Sequence, residues 1–213
     1  MTNFQKRILT ALIVLPISLF FIFIGGYPTL LFLLTIFFLA NYELFSSFKK
    51  RTTILFLNLI LILSLYSIYL LSERGEVFLL WIIILVVCSD VGGYVFGKLF
   101  KWKKFTNISP NKTVSGVFGS FIFSLMSPII VNFIIDELTN FKFYLSPKYF
   151  FFAIIFSLIA QSGDLTISYF KRQEKIKDTG KILPGHGGIF DRIDGLMFVS
   201  IIAYILFDLR IIG

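Results

Sequence analysis

The chain has 213 residues, of which 57% are hydrophobic and only 15% are charged, and its mean hydropathy is +0.88. This composition excludes an ordinary soluble domain and is typical of a protein with several membrane-spanning helices. The net charge of +8 would suit nucleic-acid binding in a soluble protein. Here most of the aromatic residues are embedded in apolar runs of span length, so we expect no nucleic-acid partner. The single cysteine, Cys88, excludes a disulfide framework.

Seven apolar segments are long enough to be bilayer-crossing helices, which need about 20 residues each. They cover residues 8–25, 28–46, 53–72, 77–97, 116–135, 148–170 and 191–212. The first is not followed by a small-residue cleavage site, so we interpret it as a span and not as a signal peptide. The loops are too short for a soluble domain. The sequence therefore predicts an all-α, polytopic transmembrane helical bundle of about seven spans, with residues 1–213 as one integral-membrane domain.

Basic residues are distributed unevenly over the loops between these segments. If the N-terminus is inside, sixteen of the twenty Lys and Arg residues fall on the cytoplasmic side and four fall outside. The outer four are Arg74, Lys142, Lys148 and Arg210. This bias predicts a cytoplasmic N-terminus and puts the 98–115 and 171–190 loops on the same cytoplasmic face. As no targeting segment is recognisable, we expect a multi-pass protein of a bacterial inner membrane.

Two acidic residues, Asp90 and Asp164, stand inside predicted spans. A carboxylate within the bilayer costs at least about 2.5 kcal/mol, so it normally faces a polar cavity and has a partner. For Asp90 the simpler alternative is an ion pair with a loop lysine. Gly92, Gly93 and Gly97 follow Asp90, and close helix packing is enough to explain them.

Residues 161–194 gather charge that the rest of the chain lacks. This stretch holds five of the twelve acidic residues, six of the twenty basic ones and the only histidine, His186. Around His186 stand Gly185, Gly187 and Gly188, where we expect positive φ or close approach of backbone N–H groups to a ligand.

The charged side chains of this stretch suit phosphate chemistry. Asp164, Asp191 and Asp194 offer hard oxygen donors of the kind that Mg²⁺ prefers, and the 191/194 spacing puts two of them on one helix face. Positive charge for phosphate groups comes from four residues: Lys171, Arg172, Lys177 and Arg192. The combination of carboxylates, basic residues and a glycine-rich turn is typical of sites for phosphoryl transfer.

Other chemistries fit these residues less well. A zinc site would have one histidine and a distant cysteine, and no HExxH motif is present. A Walker A loop is absent, and Ser/His/Asp hydrolysis through His186 would lack its Gly-x-Ser-x-Gly elbow. The main hypothesis other than an enzyme is a transporter with a charged gate. Such a transporter would not need a basic, glycine-rich loop.

The spacing of these residues resembles the signature of the phosphatidate cytidylyltransferases, the CDP-diacylglycerol synthases. It reads Ser168-x-Phe170-Lys171-Arg172-x4-Lys177-Asp178-x-Gly180-x2-Leu183-Pro184-x-His186-Gly187-Gly188-Ile189-x-Asp191-Arg192-Ile193-Asp194. Two upstream runs are similar as well: Asp90-x3-Tyr94-x2-Gly97-Lys98 and Gln161-x-Gly163-Asp164-Leu165. The 109–116 loop departs from the family, since Asn111 and Ser115 replace its usual lysine and glutamate. The resemblance is good over residues 85–200.

The resemblance implies an enzyme that joins CTP to phosphatidic acid, releases pyrophosphate and uses Mg²⁺, and it is compatible with a homodimer in the lipid bilayer. It implies that Asp164 and Asp191 bind the metal, with Asp194 as a third ligand or an orienting group. Further catalytic positions would be Lys171, Arg172 and His186. The substrate-binding positions would be Asp90, Ser109, Lys112, Thr113, Lys177, Asp178, Gly187, Gly188 and Arg192. A CTP-dependent lipid or polyprenol kinase and the gated transporter remain the alternatives.

Overall fold

The computed structural model describes residues 3–106, 108–110, 112–138, 145–183 and 187–212. Over these ranges the chain forms eight helices and no strand, with two isolated β-bridges. The helices are α1 (Asn3–Ile24), α2 (Gly26–Ser47), α3 (Arg51–Arg74), α4 (Glu76–Phe100), α5 (Val114–Ser124), α6 (Ser127–Leu138), α7 (Pro147–Gln173) and α8 (Phe190–Asp208). The predicted all-α class is confirmed.

The fifth predicted span, 116–135, is not one continuous helix but is divided into α5 and α6. Pro128 lacks an N–H group and is unable to donate to the carbonyl of Ser124, four residues earlier, so the helix breaks there. The hydroxyl of Ser127 donates to that carbonyl instead, at 2.7 Å. A proline near the start of a helix is well tolerated, and α6 accordingly begins at Ser127.

Five helical segments of the described chain are long and apolar enough to cross a membrane: Gly26–Ser47, Arg51–Arg74, Glu76–Phe100, Val114–Glu137 and Pro147–Gln173. Large apolar side chains such as Phe38, Phe133 and Phe151 are exposed on their outer faces. Such faces fit lipid as their solvent. The molecule is a polytopic helical bundle, while the count of seven spans and the cytoplasmic N-terminus stay predictions.

Helix α4 is the centre of the bundle and contacts α3, α5, α6, α7 and α8. Its Trp81 is fully buried and donates a hydrogen bond from Nε1 to Ser127 Oγ at 3.0 Å. The indole ring packs edge-on against Tyr149 and Phe156 of α7. This contact satisfies the one polar atom of the ring and fixes α6 and α7 around α4.

Helices α4 and α5 approach each other through glycines, as the sequence predicted. A Cβ on Gly92 would collide with the carbonyl oxygen of Gly119, and a Cβ on Gly93 would meet Ser120 Oγ at 2.7 Å. The hydroxyl of Ser120 donates to the carbonyl of Ser89 at 2.7 Å. Small residues let the two backbones lie in direct contact, which is a common means of helix association in membranes.

The 98–115 and 171–190 loops meet at one end of the bundle, which confirms that they share a face. The first loop folds back on itself through a bond from Phe105 N to the carbonyl of Lys112 at 2.8 Å. Arg172 then joins the two loops by donating from Nε to the carbonyl of Ile108 at 3.4 Å.

The sidedness of this end is tested by cysteine labelling in a Cys88→Ser background. Cysteines at Lys104 and Lys181 are expected to react with an impermeant maleimide in inverted vesicles and to be protected in intact cells, because both loops are predicted to be cytoplasmic. A cysteine at Lys148, at the start of α7, is the control and should show the opposite pattern. Labelling of Lys104 or Lys181 positions in intact cells would contradict the orientation.

Candidate active site

A polar cavity of about 360 Å³ lies between α4, α5, α7 and α8, at the end of the bundle where the two loops meet. Its charged lining residues are Asp90, Lys112, Asp164, Asp191, Arg192 and Asp194. Four carboxylates therefore share one space with two cationic side chains. All six were singled out from the sequence as site residues.

Asp164 is held from two sides. Its Oδ2 forms an ion pair with Lys112 Nζ at 2.5 Å, and its Oδ1 accepts a hydrogen bond from Ser168 Oγ at 3.3 Å. Lys112 also lies 3.4 Å from the carbonyl oxygen of Gln161. The 98–115 loop thus supplies a cation to the carboxylate of α7, which the sequence alone did not predict.

Asp194 and Asp90 complete an acidic group around Asp164. The carboxyl groups of Asp194 and Asp164 are in hydrogen-bonding contact, and Asp90 is close enough to both for mutual repulsion. Asp194 also accepts a bond from the N–H of Gly195 at 2.8 Å. Carboxyl groups placed this close together either share a proton or need another positive charge between them.

Asp191 has a different environment, although it is only three residues from Asp194. Its Oδ1 pairs with Lys171 Nζ at 2.8 Å, and the two side chains are 6% and 8% exposed. Its Oδ2 accepts from the N–H groups of Thr179 at 2.7 Å and Gly188 at 3.3 Å. Protein donors thus already engage both oxygens of Asp191.

Several predicted site residues lie away from the cavity lining described here. Arg172 is exposed and donates to the carbonyls of Ile108 and, at 2.7 Å, Ile176. Lys177 and Asp178 are exposed on the loop, and Ser109 is half-buried. Their assigned roles stay predictions. His186 and Asn111 are outside the described residues.

Glycine and threonine positions shape the turns at the rim. Gly187 has a φ of 90°, as predicted for a glycine that allows a left-handed turn. Thr113 lines the cavity and caps α5, accepting from the N–H of Gly116 at 3.1 Å. Ser115, which replaces the family's usual glutamate, is buried and bonds to the Thr113 hydroxyl, so it brings no charge to the cavity.

One buried acidic residue within a predicted span was missed. Glu43 of α2 lies inside the predicted 28–46 span and is only 1% exposed, so Asp90 and Asp164 are not the only carboxylates buried in an apolar run. Its carboxylate accepts from the N–H groups of Ile189 at 3.1 Å and Phe190 at 3.0 Å. An acidic residue in an apolar run was the signal for it.

An apolar cavity of about 300 Å³ adjoins the polar one. Side chains of α1, α2, α3, α4 and α8 surround it, among them Ile22, Leu33 and Leu65. Asp90 and Arg192 line both cavities. A molecule with a charged end and an apolar tail would fit across the two spaces.

The carboxylates of the polar cavity are candidate ligands for Mg²⁺. Within the described residues no three acidic, histidine or cysteine side chains converge as a complete cation site. Mg²⁺, however, usually keeps several waters and takes only one or two carboxylates together with substrate phosphates. The contacting pair of Asp164 and Asp194 matches that requirement.

The buried pair of Lys171 and Asp191 yields a stability prediction. Asp191→Asn leaves the buried Lys171 without its counter-charge, and breaking such a pair costs about 3–5 kcal/mol. We expect a clear fall in the Tm of the detergent-solubilised protein, and Lys171→Met added to Asp191→Asn should recover part of it. The matched control is Asp208→Asn, whose pair with Arg74 is more than half exposed and is worth under about 1 kcal/mol. Equal Tm values for Asp191→Asn and wild type would contradict the prediction.

Comparison with known proteins agrees with this geometry. Residues 52–210 match the cytidylyltransferase family. A phosphatidate cytidylyltransferase of Staphylococcus haemolyticus is 43% identical over 132 residues, which are 62% of this chain and 49% of the relative. One of Helicobacter pylori is 38% identical over 135 residues, covering 63% of this chain and 48% of the relative. The chain spans about half the length of these curated relatives. Since the matched segment includes every charged residue of the polar cavity and most of the chain, the protein belongs to the cytidylyltransferase family.

Proposed function

We propose that the chain is a membrane-embedded phosphatidate cytidylyltransferase, which converts CTP and phosphatidic acid into CDP-diacylglycerol and pyrophosphate in phospholipid biosynthesis. The observation that carries the proposal is the pair of adjoining cavities. One is lined by carboxylates, lysine and arginine, the other by apolar side chains, and Arg192 and Asp90 stand at their boundary. An anionic lipid has the matching division into a phosphate end and an acyl end.

The phosphate end would lie against Arg192. A guanidinium binds phosphate through two parallel hydrogen bonds and so orients it. Lys112, which already lies on the cavity wall beside Asp164, offers a second positive charge for the nucleotide. Acyl chains would extend from Arg192 into the apolar cavity, whose lining includes Ile193 and Leu196 of α8.

The reaction is nucleotidyl transfer. An oxygen of the phosphatidate monoester attacks the α-phosphorus of CTP, and the bond from that phosphorus to the oxygen bridging to the β-phosphate breaks, releasing pyrophosphate. The attacking oxygen is already anionic near neutral pH because the second pKa of a phosphate monoester is about 6. A strong general base is therefore unnecessary, and the protein's task is to position both substrates and offset their charge.

The acidic lining bears on the cofactor. Two polyanions entering a cavity with four carboxylates and two cationic residues meet net repulsion unless further positive charge is present. Mg²⁺, when bound, supplies that charge for the triphosphate and the departing pyrophosphate. Asp164 and Asp194 would hold it, with Asp90 nearby. The Asp191 side chain is only 6% exposed and its oxygens accept from Lys171, Thr179 and Gly188, whereas Asp164 is 34% exposed to the cavity. We therefore assign Asp191 to fixing Lys171 and the turn, in place of the metal role expected from the resemblance.

The proposal also covers the orientation of the site, the role of His186 and the assembly. The active site faces the cytoplasm of a bacterial inner membrane, as the loop charges predict. His186 either binds a phosphate or braces its turn, and a homodimer is the expected assembly.

The activity is tested with purified protein, phosphatidic acid in detergent micelles and CTP labelled separately at the α- and γ-phosphates. We expect the α-label in a CDP-lipid and equimolar pyrophosphate carrying the γ-label. Transfer of the γ-label to a lipid would indicate a lipid kinase instead. A lack of CTP turnover with phosphatidic acid would contradict the proposal and favour the transporter.

A second test concerns Asp164. Asp164→Asn is expected to lower turnover at least about 100-fold, because the site loses a charge that contacts both Lys112 and Asp194. The variant should still insert and purify as a folded protein, since Asp164 is partly exposed in the cavity. Asp136→Asn, an exposed change on α6, is the matched control and should keep wild-type turnover. Near-normal turnover of Asp164→Asn would remove Asp164 from the catalytic site.

A further inference from the structure

We propose that Glu43 of α2 is a positioning residue for the reaction above. It fixes the N-terminus of α8, and with it Asp191, against the signature loop, which we define as residues 174–189. The inference rests on the proposed function for its kinetic consequence. Glu43 lies outside the segment that matches the family, residues 52–210, so nothing in that match assigns it a role.

The environment of Glu43 shows what it binds. The side chain is 1% exposed within an otherwise uncharged helix, so its carboxylate needs internal partners. It finds them in the N–H groups of Ile189 and Phe190, where α8 begins. The first N–H groups of a helix have no partner within the helix, and the positive end of the helix dipole favours an anion there.

The signature loop is built around this carboxylate. A Cβ on Gly180 would meet Cδ of Glu43 at 2.5 Å and Cγ at 2.8 Å, so only glycine fits there while Glu43 keeps its place. A Cβ on Gly188 would meet Thr179 Oγ1 at 2.5 Å and Glu43 Oε2 at 2.6 Å, so both side chains confine that position. One helical turn further along α2, Ser47 donates to the carbonyl of Thr179 at 2.5 Å. Helix α2 therefore holds the loop at two points.

The same loop residues hold Asp191. Thr179 and Gly188 donate their N–H groups to Asp191 Oδ2, and Phe190, which donates to Glu43, directly precedes Asp191 in sequence. Glu43 itself is not among the described residues that line the polar cavity. It therefore acts on the site through the loop and Asp191, without touching a substrate.

Loss of the carboxylate should displace the N-terminus of α8 and the loop, while Lys112, which precedes α5, stays in place. A misplacement of about 1 Å is enough to lower a rate about 100-fold. The consequence should therefore appear in kcat, while binding of CTP at Lys112 is left nearly unchanged.

The test compares Glu43→Gln with Glu73→Gln. Both changes remove one negative charge from a glutamate that accepts a backbone N–H bond. Glu73, in the last turn of α3, accepts from the N–H of Gly26 at the start of α2. Glu43→Gln should lower kcat per folded protein about 10- to 100-fold, with KM for CTP within about threefold of wild type. Trypsin should cut faster at the exposed lysines of the loop, Lys175, Lys177 and Lys181. Glu73→Gln should leave both kcat and the rate of tryptic cleavage at the wild-type values.

A double-mutant comparison tests the contact between Gly180 and Glu43 without an activity measurement. Gly180→Ala should speed tryptic cleavage of the loop in wild type, because its Cβ collides with the Glu43 side chain, and should add little in a Glu43→Ala background. Equal effects of Gly180→Ala in both backgrounds would overturn the proposal. So would wild-type kcat in Glu43→Gln, or a loss explained entirely by unfolded protein. A wild-type protein without CDP-lipid synthesis would instead refute the proposed function, while the cleavage rates still decide whether Glu43 holds the loop.

Discussion

The buried ion pair between Lys171 and Asp191 is the constraint on which the site depends. Two opposite charges with less than a tenth of their surface exposed stay together, because either one alone would be strongly unfavourable in this surrounding. The pair joins the last turn of α7 to the first turn of α8. With these two turns fixed, the signature loop is closed at both ends, and Asp164 of α7 comes to face Asp194 of α8 in one cavity.

The site consists of a polar and an apolar cavity side by side. Carboxylates and cationic residues surround the space next to the loops, while the neighbouring space is apolar, and Arg192 belongs to both. An arginine at such a boundary keeps its guanidinium in polar surroundings and packs its methylene groups against apolar ones. The same division exists in a phospholipid at the edge of a bilayer. In the proposed function, a lipid headgroup would react in the polar space while its acyl chains stay in apolar surroundings.

Much of this arrangement was predictable from the sequence. Apolar runs of span length located the helices within a few residues, and charged residues in or beside them located the cavity. Pro128 also carried the information for the break between α5 and α6. The rest depends on which groups meet in three dimensions. The ion pair of Lys112 with Asp164 was not predicted, and the partners of Glu43 are backbone N–H groups 146 and 147 residues away. Side-chain types and spacing do not encode such pairings.

The glycine contact between α4 and α5 has a mechanical consequence. Gly92 and Gly119 place backbone against backbone, where any added carbon would force the helices apart, and hydroxyl bonds from Ser120 to Ser89 and between Ser89 and Ser157 tie α4 to both neighbours. No layer of large side chains separates α4 from α5 at this contact, so we expect this wall of the cavity to be rigid. Widening the cavity for the nucleoside triphosphate of the proposed reaction therefore falls to the other walls, where the side chains of Lys112, Asp191 and Arg192 lie.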